Sequence, residues 1–246
     1  MDSILFFQLL IFLLAGFIHG LLGFGFPMIA TPLLSMFLSV KEAVLLTLFP
    51  TVFANSYVIK KVSNFQKIWL EYKLLIIFVV IGSFTGTKLL IIFNSEYYKL
   101  ILSFVILLYL NREYMNISLK KLINNNHKKM MILFGFLSGI VSGLVNIMIP
   151  ILIIYILEKN ISKEKSFILM NFCFISSKFT QIFLFGSNGD FSLEFSFLLI
   201  PIILISILGL FIGDKLRKYI DEKFYKKVLI VLLWLLSVNL IFDTFF

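Results

Sequence analysis

Runs of about twenty apolar residues, separated by short polar connections, recur along the whole of this 246-residue chain. Segments of that length and character are stable when they cross the hydrocarbon core of a bilayer. Residues 4–38, 43–60, 72–93, 98–114, 130–157, 165–185, 193–213 and 224–245 are such stretches. No part of the sequence remains that resembles a soluble domain. The composition agrees, with 60% hydrophobic residues and 30 phenylalanines, far from what a water-soluble surface requires. The expected fold is therefore an all-α polytopic membrane protein with about eight transmembrane helices.

Charge and chemistry-bearing residues narrow the function. The net charge of +9 lies in the connections, as in KKLINNNHKK (120–129) and DKLRKYIDEKFYKK (214–227). Basic residues beside apolar spans are membrane-flanking charges, which argues against a nucleic-acid partner and for a lipid bilayer. The odd-numbered connections carry slightly more Lys and Arg than the even-numbered ones, placing both termini outside. The N-terminus lacks a basic region and a small-residue cleavage site, so it reads as a retained first span. A single cysteine, Cys173, excludes an internal disulfide. His19 has no second histidine or carboxylate at ligand spacing, so no metal and no cofactor is expected. The spans lack a nucleophile–base pair or an acid–base dyad, so an enzyme is not expected either. No G-x-x-x-x-G-K-[ST] loop occurs, which leaves a gradient or another subunit as the energy source.

The two halves of the sequence echo each other. Gly16-Phe17 and Gly20 recur as Gly135-Phe136 and Gly139; Gly25 and Pro32 recur as Gly143 and Pro150. Lys41-Glu42 matches Lys163-Glu164, and GSFTGTKL (82–89) matches GLFIGDKL (209–216). The expected organisation is a four-helix repeat over 1–115, a basic connecting loop over 116–129, and a second four-helix repeat over 130–246. Repeats of this kind are a hallmark of secondary transporters. Four spans per half would give both halves the same orientation, provided residues 4–38 cross once.

That provision is doubtful on length. A continuous helix over 4–38 would measure about 52 Å against a core of about 30 Å. Gly23-Phe24-Gly25-Phe26-Pro27 is where it should break, because Pro27 cannot donate to residue 23 and glycine lowers the cost of unwinding. Broken backbone at membrane depth persists only when buried in protein or lining a cavity. The first helix of each repeat is therefore expected to be Gly/Pro-broken, with Gly23, Gly25 and Pro27 in one binding element and Gly143 and Asn146, before Pro150, in the other. The GFGF sequence is not a dinucleotide fingerprint: the third glycine and the preceding strand are missing.

Polar residues inside the spans supply the remaining candidates. Lys178 lies near mid-span, where a lysine is costly and marks function by default. The alternatives are snorkelling toward Gly186 or an internal ion pair. Ser177 and Asn171 accompany it, with Gln181 on a neighbouring arc. Thr47, Thr51 and Asn55 follow one face of the second span, with Asn55 aligned to Ser177 and Ser56 to Lys178. His19, Asn171 and Gln181 are candidates for gating or coupling, His19 by bonding a freed carbonyl or by titrating.

With these motifs in hand, the chain resembles the TauE/SafE family of sulfite and organosulfur anion transporters. The residues that carry the likeness are G-x-x-x-G-x-x-G-F-G-F-P-x-x-x-x-P (16–32), Lys-Glu-Ala (41–43) and the repeated G-x-x-x-G-x-K-L. The resemblance spans essentially the whole chain. It implies an inner-membrane carrier of small anions such as sulfite or sulfonates, built from two homologous four-helix halves. An anion channel and a non-transporting membrane scaffold are the alternatives. A coupling ion and self-association to a homo-oligomer are left open.

Overall fold

A computed structural model describes residues 2–61, 65–93, 97–111, 120–217, 219, 230–231, 233–234 and 237–242. The expected span 224–245 lies largely outside the described residues. Among them the chain is helical throughout, with no strand: α1 (Asp2–Leu22), α2 (Phe26–Leu34), α3 (Val40–Lys60), α4 (Phe65–Ile92), α5 (Tyr98–Asn111), α6 (Lys120–Asn125), α7 (His127–Val145), α8 (Ile149–Glu158), α9 (Lys163–Ser187) and α10 (Leu193–Leu216). Six of these, α1, α3, α4, α7, α9 and α10, are long and apolar enough to cross a membrane. The expected loop 116–129 is not plain loop where it is described, since α6 occupies part of it and α7 already starts at His127.

Glycine-lined contacts fix the direction of the long helices. A Cβ on Gly16 would stand 2.2 Å from the Ser206 carbonyl oxygen, and one on Gly20 2.2 Å from that of Leu210. In return Gly209 abuts the Leu13 carbonyl at 2.2 Å and Gly213 that of Phe17 at 2.0 Å. Positions on α1 and α10 climb together, so the two helices are parallel and nearly backbone to backbone, as small residues allow. The same pattern joins α7 to α4: Gly139 meets Val79 and Gly143 meets Ser83, while Gly82 meets Phe136 and Gly86 meets Ile140. These environments pair Gly16 with Gly139 and Gly20 with Gly143. The alignment read from the sequence, Gly16 with Gly135, is one helical turn out.

Ion pairs complete the orientation. Lys61, just past α3, and Tyr57 both bond Asp214 at the end of α10 (2.5 and 2.9 Å). Lys41, near the start of α3, bonds Asp190 just before α10 (2.8 Å). Helix α3 is thus parallel to α10, and through it to α1. Glu71 in α4 pairs with Lys165 at the start of α9 (2.8 Å). We call the end where α1, α3 and α10 finish, and α4, α7 and α9 begin, the upper end.

Because α1 and α3 both run upward, the segment between them must come back down. Helix α2 makes that return, so residues 4–38 do not form a single crossing. Helix α8 returns in the opposite sense: Tyr155 meets His127, the first residue of α7, at 3.3 Å. Helices α7 to α10 therefore run opposite to α1 to α4, and the same-orientation expectation is corrected. Its error was parity, since the short return helix in each half had been merged with the long one before it.

Candidate functional site

Two interruptions inside the bundle organise its polar residues. At the first, α1 ends at Leu22 and the chain turns through Gly23 (φ 80) and Gly25 (φ 98) before α2 starts at Phe26 with Pro27 in its first turn. Those φ values lie in the left-handed region, where a side chain costs about 1–2 kcal/mol. Freed backbone groups here find partners, as backbone buried away from water must. The Gly23 N–H donates to the His19 carbonyl (2.7 Å) and the Phe26 N–H to His19 Nδ1 (3.3 Å). Asn171 on α9 donates to the Gly23 carbonyl (3.0 Å) and to its own helix at Phe167 (2.7 Å). His19 thus accepts from a freed N–H rather than bonding a freed carbonyl. With Nδ1 as acceptor, the neutral ring carries its proton on Nε2, which faces the Ala54 carbonyl without closing a hydrogen bond of normal geometry.

The second interruption needs no glycine. Helix α7 ends at Val145, Asn146 takes the left-handed conformation (φ 66), and α8 starts at Ile149 with Pro150 in its first turn. Asparagine tolerates that conformation better than other side-chain-bearing residues, which is how GLVNIMIP breaks without the glycines of the first half. In each case two residues separate this left-handed residue from the next helix, so Gly23 corresponds to Asn146 and Pro27 to Pro150. The earlier pairings of Gly25 with Gly143 and Pro32 with Pro150 are superseded. Gly143 sits instead in the α4–α7 contact, a Cβ there meeting the Ser83 carbonyl at 2.6 Å.

Asn146 joins three helices. Its amide donates to Thr31 on α2 (2.9 Å) and Thr47 on α3 (2.6 Å), and its Oδ1 accepts from Lys178 on α9. Lys178 also donates to Gln181 Oε1, and Gln181 in turn donates to the carbonyls of Ser142 (3.2 Å) and Gly143 (3.4 Å). Ser177 bridges Ser142 (2.7 Å) and Ser83 (2.9 Å). Lys178, Asn146, Gln181, Ser177, Thr31 and Thr47 are all fully buried. The lysine points into the bundle and does not snorkel. Among the described residues no carboxylate pairs with it, which sets aside the internal ion pair.

The sequence candidates thus fall into two groups. Lys178, Asn146, Gln181 and Ser177 come together at the second interruption. His19, Gly23, Gly25, Pro27 and Asn171 gather at the first. Asn55 makes no bond to the lysine group; its Nδ2 donates to the Thr51 carbonyl (2.7 Å) and its Oδ1 has no partner. Thr31, Ser142 and Ser83 escaped the sequence reading. The first two lie within one turn or so of the breaks, a proximity that could have marked them; Ser83 offered no signal. At the upper end, Gly23 also lines a cavity of about 110 Å³ with Tyr57, Lys61, Glu164, Phe167 and Asp214.

The family model described as sulfite exporter TauE/SafE matches residues 8–240. No curated protein and no solved structure matches the chain.

Proposed function

The chain belongs to the sulfite exporter TauE/SafE family, a family of membrane transporters, and from that premise we propose that it is a secondary transporter of small anions of the sulfite, sulfonate or other organosulfur class, with Lys178 as the anion seat. One observation carries this reading. A lysine ammonium has three N–H donors; the two partners of Lys178, Asn146 and Gln181, are neutral amides, and a buried ammonium is stable only with a counter-charge. A small anion supplies the charge and takes the remaining donor. The bond to Asn146 supports this reading, since Asn146 lies where the backbone is unwound and substrate sits at such points in broken-helix transporters.

The same geometry supports two repeats of inverted topology, residues 1–115 and 130–246, that rock against each other in alternating access. The reciprocal glycine contacts favour this: α1 of one half packs on α10 of the other, and α7 on α4. The protein would sit in the cell (inner) membrane with the upper end inward. Lys60, Lys61, Lys67 and Lys73 lie toward that end, as do Lys121, Lys128 and Lys129, then Lys159 and Lys165, then Lys215 and Arg217, against Lys41, Lys88 and Lys99 at the other. That asymmetry is the positive-inside pattern, and it supports an N-terminus outside.

Counterflow of radiolabelled sulfite in proteoliposomes tests the function. Saturable counterflow by the wild type, lost in Lys178→Gln, is the expected result. Flux that never saturates indicates a channel, absent flux a scaffold, and an unchanged Lys178→Gln places the anion elsewhere.

A further inference from the structure

The first interruption has chemistry opposite to that of the second. Three buried side-chain oxygens on α3 and α9, Thr51 Oγ1, Asn55 Oδ1 and Asn171 Oδ1, have no hydrogen-bond partner among the described residues, and all three residues are fully buried. Leaving such an acceptor unsatisfied is costly, so these three call for an explanation.

Asn171 bonds the first interruption directly, and Asn55, one turn above Thr51 on α3, lies one turn below Val58, which stands 3.9 Å from the Cβ position of Gly23. Asn171 holds the Gly23 carbonyl, Gly23 is bonded to His19, and His19 faces Ala54, the neighbour of Asn55. Asn55 in turn bonds the Thr51 carbonyl one turn below. The C-terminal end of α1 stops at this point, and the end of a helix presents carbonyls and partial negative charge.

A positional correspondence sharpens the contrast. Ser39 and Ser162 precede α3 and α9 with matching backbone angles (φ −62, ψ 153 and φ −59, ψ 151). Counted from these caps, Asn55 and Lys178 lie equally far along their helices, and Ala54 matches Ser177. The contacts agree, since Ala54 faces His19 where Ser177 bonds Ser142. This register replaces the pairing of Asn55 with Ser177. In the second half, then, a tethered ammonium stands against the residue that ends the broken helix. In the first half the corresponding side chain is an amide with a bare oxygen.

We propose that the first interruption is a binding site for an exchangeable monovalent cation of the Na⁺ type, liganded by Thr51 Oγ1, Asn55 Oδ1, Asn171 Oδ1 and carbonyls at the end of α1. Hard cations take oxygen ligands, and an all-neutral donor set suits a single charge rather than a double one. Unwound backbone and the C-terminal ends of half-helices coordinate ions of this kind in transporters. The cavity that Gly23 lines at the upper end, with Lys61, Glu164, Asp214 and Arg217 in its wall, provides an approach. As the coupling ion of transport this cation rests on the carrier reading above; as a bound ion it does not.

The test separates the two. Thermal unfolding of the purified full-length protein is followed in NaCl and in choline chloride at equal ionic strength, without any anionic substrate. About 100 mM Na⁺ should raise the melting temperature by about 2–5 °C. Thr51→Val and Asn55→Leu should abolish the rise, Thr51→Ser should keep it, and Lys178→Gln should keep it while losing sulfite counterflow. No Na⁺-specific rise in the wild type, or an equal rise in Thr51→Val and Asn55→Leu, overturns the site. A rise in a protein that shows no counterflow retains the site and removes the carrier.

Discussion

Lys178 donates to Asn146, the residue whose left-handed backbone ends α7. One side chain therefore does two jobs: its backbone breaks the helix, and its amide ties the buried lysine to Thr31 and Thr47. The break and the proposed anion seat share this residue, and substitutions at Asn146 can separate its contributions.

Asn146→Gly keeps the left-handed turn and removes the amide. The expected result is a folded protein with sulfite affinity reduced about 10- to 100-fold, the loss of one hydrogen bond to a charged group. Asn146→Ala removes the amide and also strains the turn by about 1–2 kcal/mol, so it should melt below Asn146→Gly with a similar affinity. Asn146→Asp would supply Lys178 with a fixed counter-charge, giving a stable protein that no longer carries anion. Melting curves and counterflow on the three variants check the ordering. Equal affinity in Asn146→Gly and wild type would remove Asn146 from the seat.

Helix contacts give a paired prediction. A Cβ on Gly20 or Gly143 would enter the space of a backbone carbonyl, at 2.2 Å from Leu210 and 2.6 Å from Ser83. Neither helix can yield locally, so Gly20→Ala and Gly143→Ala should each cost about 1–3 kcal/mol by overpacking. Gly189, at φ 79 with nothing near its Cβ position, has no such neighbour. Gly189→Ala should pay only for its backbone conformation, about 1 kcal/mol. Thermal unfolding in one detergent ranks the three.

These contacts also mark where the sequence is legible and where it stops. Gly23 through Pro27 announced a break, because a rod over residues 4–38 is too long for a bilayer and glycine beside proline is where a helix yields. Lys178 announced itself through the cost of burying a charge. The second break was harder to align, since Asn146 provides with an amide-bearing residue what Gly23 provides with none, and matching glycine to glycine slid the repeat by a turn. The direction of α2 was illegible for a related reason. A short, mostly apolar segment after a kink looks alike whether it continues or returns, and the α1–α10 glycine contacts together with the Lys41–Asp190 and Lys61–Asp214 ties show which. Pairing across the two halves, as between Asn146 and Thr47, is likewise a product of tertiary packing that no local pattern encodes.

The Lys61–Asp214 tie carries its own pH signature. Burial is the largest single influence and disfavours the charged lysine, but the hydrogen bonds to Asp214 and Tyr57 and the attraction to both groups together outweigh it, and the Lys61 pKa rises above its ordinary 10.5. A raised pKa stabilises the fold fully below the unfolded value. That contribution disappears as pH climbs past 10.5 through the folded value. The Lys61 side chain is 48% exposed, so screening limits the pair to about 1 kcal/mol or less. Lys61→Met should lower the melting temperature slightly at neutral pH, less so in high salt, and the gap from wild type should close above pH 10.5. A gap that widens with alkalinity would contradict the assignment.

Membrane orientation follows from where the lysines fall once α2 and α8 are recognised as returns. If α2 continued upward, the basic connections would alternate between the two ends and one side would be only slightly preferred. With the returns in place, Lys128 in the first turn of α7 and the α3–α4 connection share the upper end, while Ser187 at the end of α9 lies at the other. Both positions are exposed, and buried Cys173 can be replaced by serine to clear the background. In intact cells Ser187→Cys should react with a membrane-impermeant maleimide, and Lys128→Cys only after permeabilisation. The reverse pattern would place the basic end outside, against the positive-inside rule, and would reverse the side from which the cavity beside Gly23 is reached. Labelling at both positions from one side would be incompatible with α9 spanning the bilayer.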